Sequence, residues 1–267
     1  MLLEIRKSFE QSINIRPVHL FPGINGPLRN KQSADIDFVC IRENTEGEYA
    51  GAGGRLHIGT PHELAVQTGI FTRAGIERVM RFSFELARSR PQKKLTSATK
   101  SNAWQYAMVF WDEVFAQLAS EYPDVKTEKW HVDALAARFV TCPETFDVIV
   151  ASNLFGDILT DLGGAIHGGL GISASGNLNP DRRYPSMFEP VHGSAPDIFG
   201  QQIANPVAMV WAGAMMLDFL GEQAGAQVIM NGIARTLQDG KALTPDLGGS
   251  AHTSETGDEI SRYIRLG

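Results

Sequence analysis

Asp157 and Asp161 stand four residues apart in the run Asn153-Leu154-Phe155-Gly156-Asp157-Ile158-Leu159-Thr160-Asp161. On a helix that spacing stacks both carboxylates on one face, one turn apart, while Ile158 and Leu159 point elsewhere. Two like charges so placed repel each other unless a cation lies between them, and a divalent metal with hard oxygen ligands is the natural partner. A bare D-x-x-x-D is more often a solvated helix face. Position favours the cation here. The pair follows Phe146-Asp147-Val148-Ile149-Val150-Ala151, the most apolar strand candidate, and open α/β sheets bind ligands beyond the carboxyl ends of their strands. Asp133 occupies a similar strand-to-helix transition after Trp130-His131-Val132.

Arg6, Arg16 and Arg42 are candidates for an anion site. Arg6 and Arg16 flank an amphipathic helix pattern in which Leu2, Ile5, Phe9 and Ile13 recur at helical spacing, and Arg42 ends the strand that begins at Ile36. Arg16 precedes Pro17, so its backbone is extended. Guanidinium forks bind carboxylates through paired hydrogen bonds, and three of them suit a di- or tricarboxylic acid. Taken singly, each reads more readily as a surface ion-pair residue.

The elements that must position these residues alternate. Strands are expected over residues 36–41, 63–72, 95–98, 130–132 and 146–151, and helices over 75–89, 104–120, 133–140 and 154–166. Residues 48–54 hold three glycines and read as a loop, as does the stretch 173–204. Helices are expected again over 206–220, 225–239 and 254–263. The alternation predicts an α/β fold with a largely parallel sheet.

The 267 residues are 43% hydrophobic, enough for a sizeable core. The net charge of -6 argues against nucleic-acid binding, which wants a basic face, but not against a small anion held by local arginines. Two cysteines, Cys40 and Cys142, lie in or beside apolar stretches and read as reduced, buried thiols, not as a zinc site. No stretch is apolar for long enough to span a bilayer, and the first residues lack a signal-peptide core, so a cytoplasmic protein is expected.

Six segments, taken together, resemble the isocitrate/isopropylmalate/tartrate (β-decarboxylating) dehydrogenase family. They are Leu2-Leu3-Glu4-Ile5-Arg6 with Asn14-Ile15-Arg16-Pro17; Arg42-Glu43-Asn44-Thr45-Glu46-Gly47-Glu48-Tyr49; Thr99-Lys100-Ser101-Asn102; His131-Val132-Asp133; the run from Asn153 to Asp161; and Glu189-Pro190-Val191-His192-Gly193-Ser194-Ala195-Pro196-Asp197. They stand in family order along essentially the whole chain. Phe21-Pro22-Gly23, Ser97-Ala98-Thr99-Lys100 and Asn177-Leu178-Asn179-Pro180 look most like the tartrate/D-malate branch.

The resemblance implies NAD-linked, Mg2+- or Mn2+-dependent oxidation and decarboxylation of a 2-hydroxy dicarboxylic acid such as D-malate or tartrate. Isocitrate or isopropylmalate activity is the alternative, as is a catalytically inactive truncated or regulatory subunit. The persistence of Lys100, Tyr49 and all three aspartates favours a catalytic chain. By resemblance, Arg6, Arg16 and Arg42 clamp the substrate carboxylates, and Asp133, Asp157 and Asp161 ligate the metal. Lys100, aided by Asp133, helps remove the hydroxyl proton, and Tyr49 protonates the enol. Glu189, His192, Gly193, Ser194, Ala195, Asp197 and Asn205 would line the cofactor site. Asp197 would accept from ribose hydroxyls and repel a 2′-phosphate, so NAD is expected over NADP. Lys100 and Asp133 would reach in from a neighbouring subunit, which implies a homodimer with a shared active site. The expected fold is isopropylmalate dehydrogenase-like and two-lobed, with residues 12–168 forming the substrate, metal and dimerisation lobe and 1–11 plus 169–267 the cofactor lobe. The family begins with a βαβ portion holding a Gly-Asp-Gly-Ile-Gly loop, and this sequence has no such run. A fold lacking that first portion is therefore expected, with an apolar helix face uncovered near residues 207–220.

Overall fold

In the computed structural model, residues 2–266 are described, with side chains from Glu4 onward. The predicted helix-face position Leu2 thus lies outside the described side chains. The strands are β1 (Ile13–His19), β2 (Asp37–Glu43), β3 (Gly47–Leu56), β4 (Leu64–Ile70), β5 (Lys94–Thr99), β6 (Lys126–His131), β7 (Val148–Ala151), β8 (Ala174–Leu178) and β9 (Met187–Pro190). The helices are α1 (Leu2–Ser8), α2 (Arg73–Ser89), α3 (Ala107–Ala119), α4 (Val132–Thr141), α5 (Asn153–Ile166), α6 (Val207–Leu220), α7 (Gln223–Asp239) and α8 (Thr253–Leu266).

Seven strands form one sheet in the order β6-β5-β7-β2-β1-β8-β9. The run β6-β5-β7-β2 is parallel, as the alternation of strands and helices predicts, and β1, β8 and β9 extend it antiparallel. The parallel registers bring Arg42 beside Ala151 and Thr99 beside His131. The carboxyl ends of β2, β5, β6 and β7 therefore share one sheet edge, and the candidate residues sit on or just beyond it.

The sheet is covered on both faces. Alternate residues of β2 divide between two cores, with Val39 and Ile41 packed toward Trp111 and Phe84, and Phe38 and Cys40 toward Phe139, Phe146 and Leu159. That is the period-2 partition of a sheet buried on both faces. A third core joins Phe21 and Ile172 to Trp211, Ile233 and Ile260 under α6, α7 and α8.

Four readings are corrected. The first helix ends at Ser8, and Ile13 belongs to β1. The β-branched residues of Ile13-Asn14-Ile15 pair with β2 from Ile13–Glu43 to His19–Asp37, and that ladder outweighs the helical spacing. Residues 48–54 are strand, not loop. Gly51 and Gly53 take φ of +81° and +158°, and they lie at or beside a register shift between Gly47 and Ala52 in the β3–β4 ribbon. A Cβ on Gly53 would meet the Val66 carbonyl oxygen at 2.2 Å. The stretch 173–204 holds β8 and β9. Every residue of β8 is buried although Ala174-Ser175-Gly176-Asn177 carries no large apolar side chain, so neither periodicity nor hydropathy marks it. Cys40 is buried, but Cys142 only partly so, and both are free. Burial pushes the Cys40 thiol up to about 12. Helix α6 exposes Met209, Met216 and Leu220 along its length.

His167, fully buried, closes α5 and ties it to two strands. Its Nδ1 lies 3.1 Å from the His19 carbonyl of β1, and its Nε2 lies 2.8 Å from Ser173 Oγ, just before β8. The carbonyl can only accept, so Nδ1 donates to it, and in the neutral ring Nε2 accepts from the Ser173 hydroxyl, whose one hydrogen it shares with the Gly169 carbonyl at 3.0 Å. Burial holds its pKa down at about 4, against 6.5 for a free imidazole. Between those values the unfolded chain binds the extra proton, so stability falls as pH drops through that window, by on the order of 3 kcal/mol for this group. Urea unfolding at neutral pH and near the lower value should show His167→Gln less stable than the parent at neutral pH, with a shallower loss in acid. Identical pH slopes for the two chains would refute this role.

Candidate active site

Arg42 stands at the carboxyl end of β2 with its side chain 2% exposed. Its Nε and Nη2 donate to Asn153 Oδ1 at 3.0 and 2.7 Å, and its Nη1 donates to Asp157 Oδ1. Helix α5 begins directly after β7, so Asn153 and Asp157 reach Arg42 from the neighbouring strand's end. The close approach depends on Gly156. A Cβ there would lie 2.6 Å from both Cβ and Cγ of Arg42, atoms too near the backbone to move aside.

Arg16 enters from β1. Its Nε donates to Asn14 Oδ1 at 2.7 Å and its Nη1 to Thr160 Oγ1 at 2.6 Å. Its Nη2 lies 3.4 Å from Asp157 Oδ1 and its Nη1 3.8 Å from Asp161 Oδ1. Tyr49 completes the cluster. Its hydroxyl donates to Asp157 Oδ2 at 2.9 Å, and the Arg42 guanidinium sits 5.2 Å from its ring centroid. One carboxylate thus receives two guanidinium groups and a phenol.

The electrostatics follow the burial. Loss of water lowers the pKa of Arg42 to about 10, with Arg16 adding repulsion and Asp157 opposing both. Burial lowers Arg16 too, against the pull of Asp157 and Asp161. Both guanidiniums stay charged at neutral pH. Burial raises the Tyr49 phenol, and its bond to Asp157 raises it further, so it remains a proton donor.

Arg6, buried, reaches Glu189 Oε1 of β9 at 3.3 Å, and its Nε is buried without a partner. Lys100 and Asp133, at the ends of β5 and β6, pair with each other at 2.7 Å. Lys100 is the main cause that pulls the Asp133 pKa below its ordinary value. Asp157 and Asp161 come together beside Arg16, but Asp133 does not join them. Among the described residues no three His, Cys, Asp or Glu side chains lie close enough to hold a metal.

A separate cavity of about 900 Å3 is lined by His192, Gly193, Ser194, Ala195, Asn205 and Asp246. Asp197 is exposed on the same loop, outside that lining, and Glu189 lies with Arg6 instead. The Asn205 amide is committed, since its Oδ1 accepts from Val207 N at the start of α6 and its Nδ2 donates to Asp246 Oδ2 at 3.0 Å. The sequence reading missed Asn153, Thr160 and Asp246. Asp246 was findable in part, because Thr244-Pro245-Asp246-Leu247-Gly248-Gly249 has the composition of a tight, ligand-facing turn. Asn153 and Thr160 lay inside the aspartate run, and only packing shows what they touch.

Fold and site define an α/β protein whose parallel-strand ends gather buried arginines with partly exposed acids, and which carries a separate cavity of about 900 Å3 under residues 192–205. Residues 1–260 match the Isocitrate/isopropylmalate dehydrogenase family. The chain is 55% identical over 267 residues to the D-malate dehydrogenase [decarboxylating] of Escherichia coli (strain K12), covering 98% of itself and 74% of that protein. It is 52% identical over 266 residues to the tartrate dehydrogenase/decarboxylase of Pseudomonas putida, covering 97% and 73%. The crystal structure of isocitrate dehydrogenase from Methylococcus capsulatus aligns with a TM-score of 0.92 at 37% identity, over 98% of this chain and 76% of that one. The chain belongs to the isocitrate/isopropylmalate dehydrogenase family, and it is an oxidoreductase by that membership.

Gly156→Ala tests the packing of the cluster. Alanine favours a helix interior over glycine by about 1 kcal/mol. Forcing a methyl into a filled site costs about 1–3 kcal/mol, and here the obstructing atoms adjoin the β2 backbone. The overpacking should win, so thermal unfolding should show a lower midpoint for the variant. An equal or higher midpoint would contradict the packing described.

Proposed function

We propose that this chain catalyses the NAD-linked, divalent-metal-dependent oxidation and decarboxylation of a 2-hydroxy dicarboxylic acid, with D-malate or tartrate as the preferred substrate. The observation that carries the reading is the convergence of buried Arg42, buried Arg16 and the Tyr49 hydroxyl on a single carboxylate beside Asp161. Such a cluster is built around an anion. Without ligand Asp157 supplies that anion, and in the working site a substrate carboxylate takes its place. Arg6, with its unpartnered buried Nε, serves the second carboxylate. The names and 55% and 52% identities of the relatives support the substrate class.

The oxygen donors of Asp157 and Asp161 suit Mg2+ or Mn2+, with Asp133 as the third acid. A bound cation would polarise the substrate's hydroxyl oxygen and steady the charge that develops there. The separation of Asp133 and Lys100 from Asp157 supports a homodimer in which these two residues serve the partner's site. Lys100 in its neutral amine form, having released its own proton from the pair with Asp133, would take the hydroxyl proton as the C2 hydride passes to NAD, and Tyr49 would return a proton to carbon after CO2 leaves. The raised Tyr49 pKa keeps that proton available at neutral pH.

Residues 12–168 form the substrate lobe, and 1–11 with 169–267 the cofactor lobe. The cavity under residues 192–205 takes the adenosine end of NAD, and its small residues let the ligand approach the backbone. Glu189, on β9 and paired with Arg6, would face the substrate end of a bound cofactor. No described helix is long and apolar enough to cross a membrane, and both cysteines are free, which fits a cytoplasmic setting.

NADH formation should be assayed with D-malate, tartrate, isocitrate and isopropylmalate, each with and without Mn2+. D-malate or tartrate should turn over fastest, and only with metal. Faster turnover of isocitrate or isopropylmalate would overturn the substrate assignment, and no turnover on any of the four would overturn the enzyme reading. Asp197→Lys should raise the KM for NAD by about tenfold through loss of ribose hydrogen bonds, and should bring NADP into use. Unchanged NAD kinetics would place the ribose elsewhere.

A further inference from the structure

The run Asn177-Leu178-Asn179-Pro180 has no part in the chemistry above, yet both asparagines are buried. Asn177, on β8, faces Asn14 across the β1–β8 ladder. Its Oδ1 accepts from Asn14 Nδ2 at 3.1 Å and from Asn44 Nδ2 at 3.0 Å. Its Nδ2 donates at 2.8 Å to Glu189 Oε1, the same oxygen that receives Arg6 Nη2. Asn14 in turn accepts from Arg16 Nε through Oδ1.

The polarity of this chain is forced. Arg16 Nε only donates, so Asn14 must turn its oxygen toward it and its nitrogen toward Asn177. Asn177 must then present oxygen to Asn14 and nitrogen to Glu189. A line of four side chains thus runs from Arg16 to the acid that holds Arg6. Asn179 fixes the same region from a second point. Its Nδ2 donates to the Phe9 and Glu10 carbonyls at 3.2 and 3.1 Å, in the turn between α1, which carries Arg6, and β1, which carries Arg16. Glu10 takes a φ of +46° in that turn, a conformation that needs such support.

We propose that Asn177 is a positioning residue for substrate binding, which holds Arg6 and Arg16 at the spacing a hydroxy dicarboxylate requires, with Asn179 anchoring the turn between them. This rests on Arg6 and Arg16 being substrate ligands. Asn177 touches neither substrate nor cofactor and acts through Asn14 and Glu189. Its amide cannot be replaced by a carboxylate of the same shape without setting two carboxylate oxygens face to face at Glu189.

The test is calorimetric titration of D-malate, with Mn2+ present, into the parent chain, Asn177→Asp and Arg16→Gln between pH 6 and 9. Asn177→Asp should raise the Kd about tenfold at the alkaline end, and the deficit should shrink as pH falls and the new carboxyl regains a proton to donate. A merely structural role would lower the melting temperature without such a pH-dependent Kd. Arg16→Gln should raise the Kd at every pH. If Arg16→Gln leaves the Kd unchanged, or the parent fails to bind, the reading of the arginines falls and the proposal with it. If Arg16→Gln weakens binding while Asn177→Asp binds as the parent does throughout, the positioning role alone is overturned. Should Asn177→Asp fail to fold, Asn14→Ser decides, since it removes the Arg16 Nε acceptor: a raised Kd supports the relay and a parental one overturns it.

Discussion

Two guanidinium groups buried side by side require an anion between them, and the architecture around the sheet edge follows from that requirement. Arg42 and Arg16 lie on adjacent strands with little exposure, and the charge of Arg16 adds to burial in lowering the Arg42 pKa. An unpaired buried charge costs several kcal/mol, so the pair is tolerable only with counter-charge at hand. Asp157 provides it from the helix that springs off β7, and Gly156 lets that helix come close enough. Asp157 is itself about one-third exposed, so water and a ligand reach the cluster. The two arginines are thus paired within the chain, on a carboxylate that solvent reaches.

The opposite end of the same sheet shows what a purely structural buried charge looks like. Asp147, 1% exposed, accepts from Arg90 Nε at 2.5 Å and from the Lys94 backbone at 3.2 Å. There the acid is sealed, and the arginine that holds it turns another nitrogen to the exposed Asp37 at 3.3 Å. At the carboxyl ends of the strands the arginines are sealed instead, and the acids Asp157, Asp161 and Asp133 are at least partly exposed. Burial of charge alone does not mark a functional site. Which partner faces solvent does.

Much of this was legible in the residues. The apolar strand before Asn153, the helical spacing of Asp157 and Asp161, and the strand end at Arg42 pointed to side chains that the structure brings together, because each depends on local periodicity. The family-order motifs added Tyr49 and Lys100, which spacing alone would have left as ordinary side chains. What stayed hidden depends on pairing between distant segments. Strand β8 is built of small and polar residues whose burial comes from β1 and β9, and nothing in Ser175-Gly176-Asn177 announces it. The amide relay through Asn14 and Asn177 has no sequence signature, since an asparagine shows its role only by what it touches. Ile13 kept a helical spacing that the strand ladder overrode, and the glycines of β3 imitated a loop.

The central claim is that the arginine cluster is an anion seat, held by Asp157 until a substrate carboxylate takes it over and leaves Asp157 to a metal. Mn2+ binding, followed by the electron paramagnetic resonance signal of the free ion, tests this directly with and without a saturating 2-hydroxy dicarboxylate. The account predicts that the dicarboxylate tightens Mn2+ binding by about tenfold, a coupling in the ordinary range for two sites that share one group. Mn2+ affinity indifferent to the dicarboxylate, or weakened by it, would contradict the account.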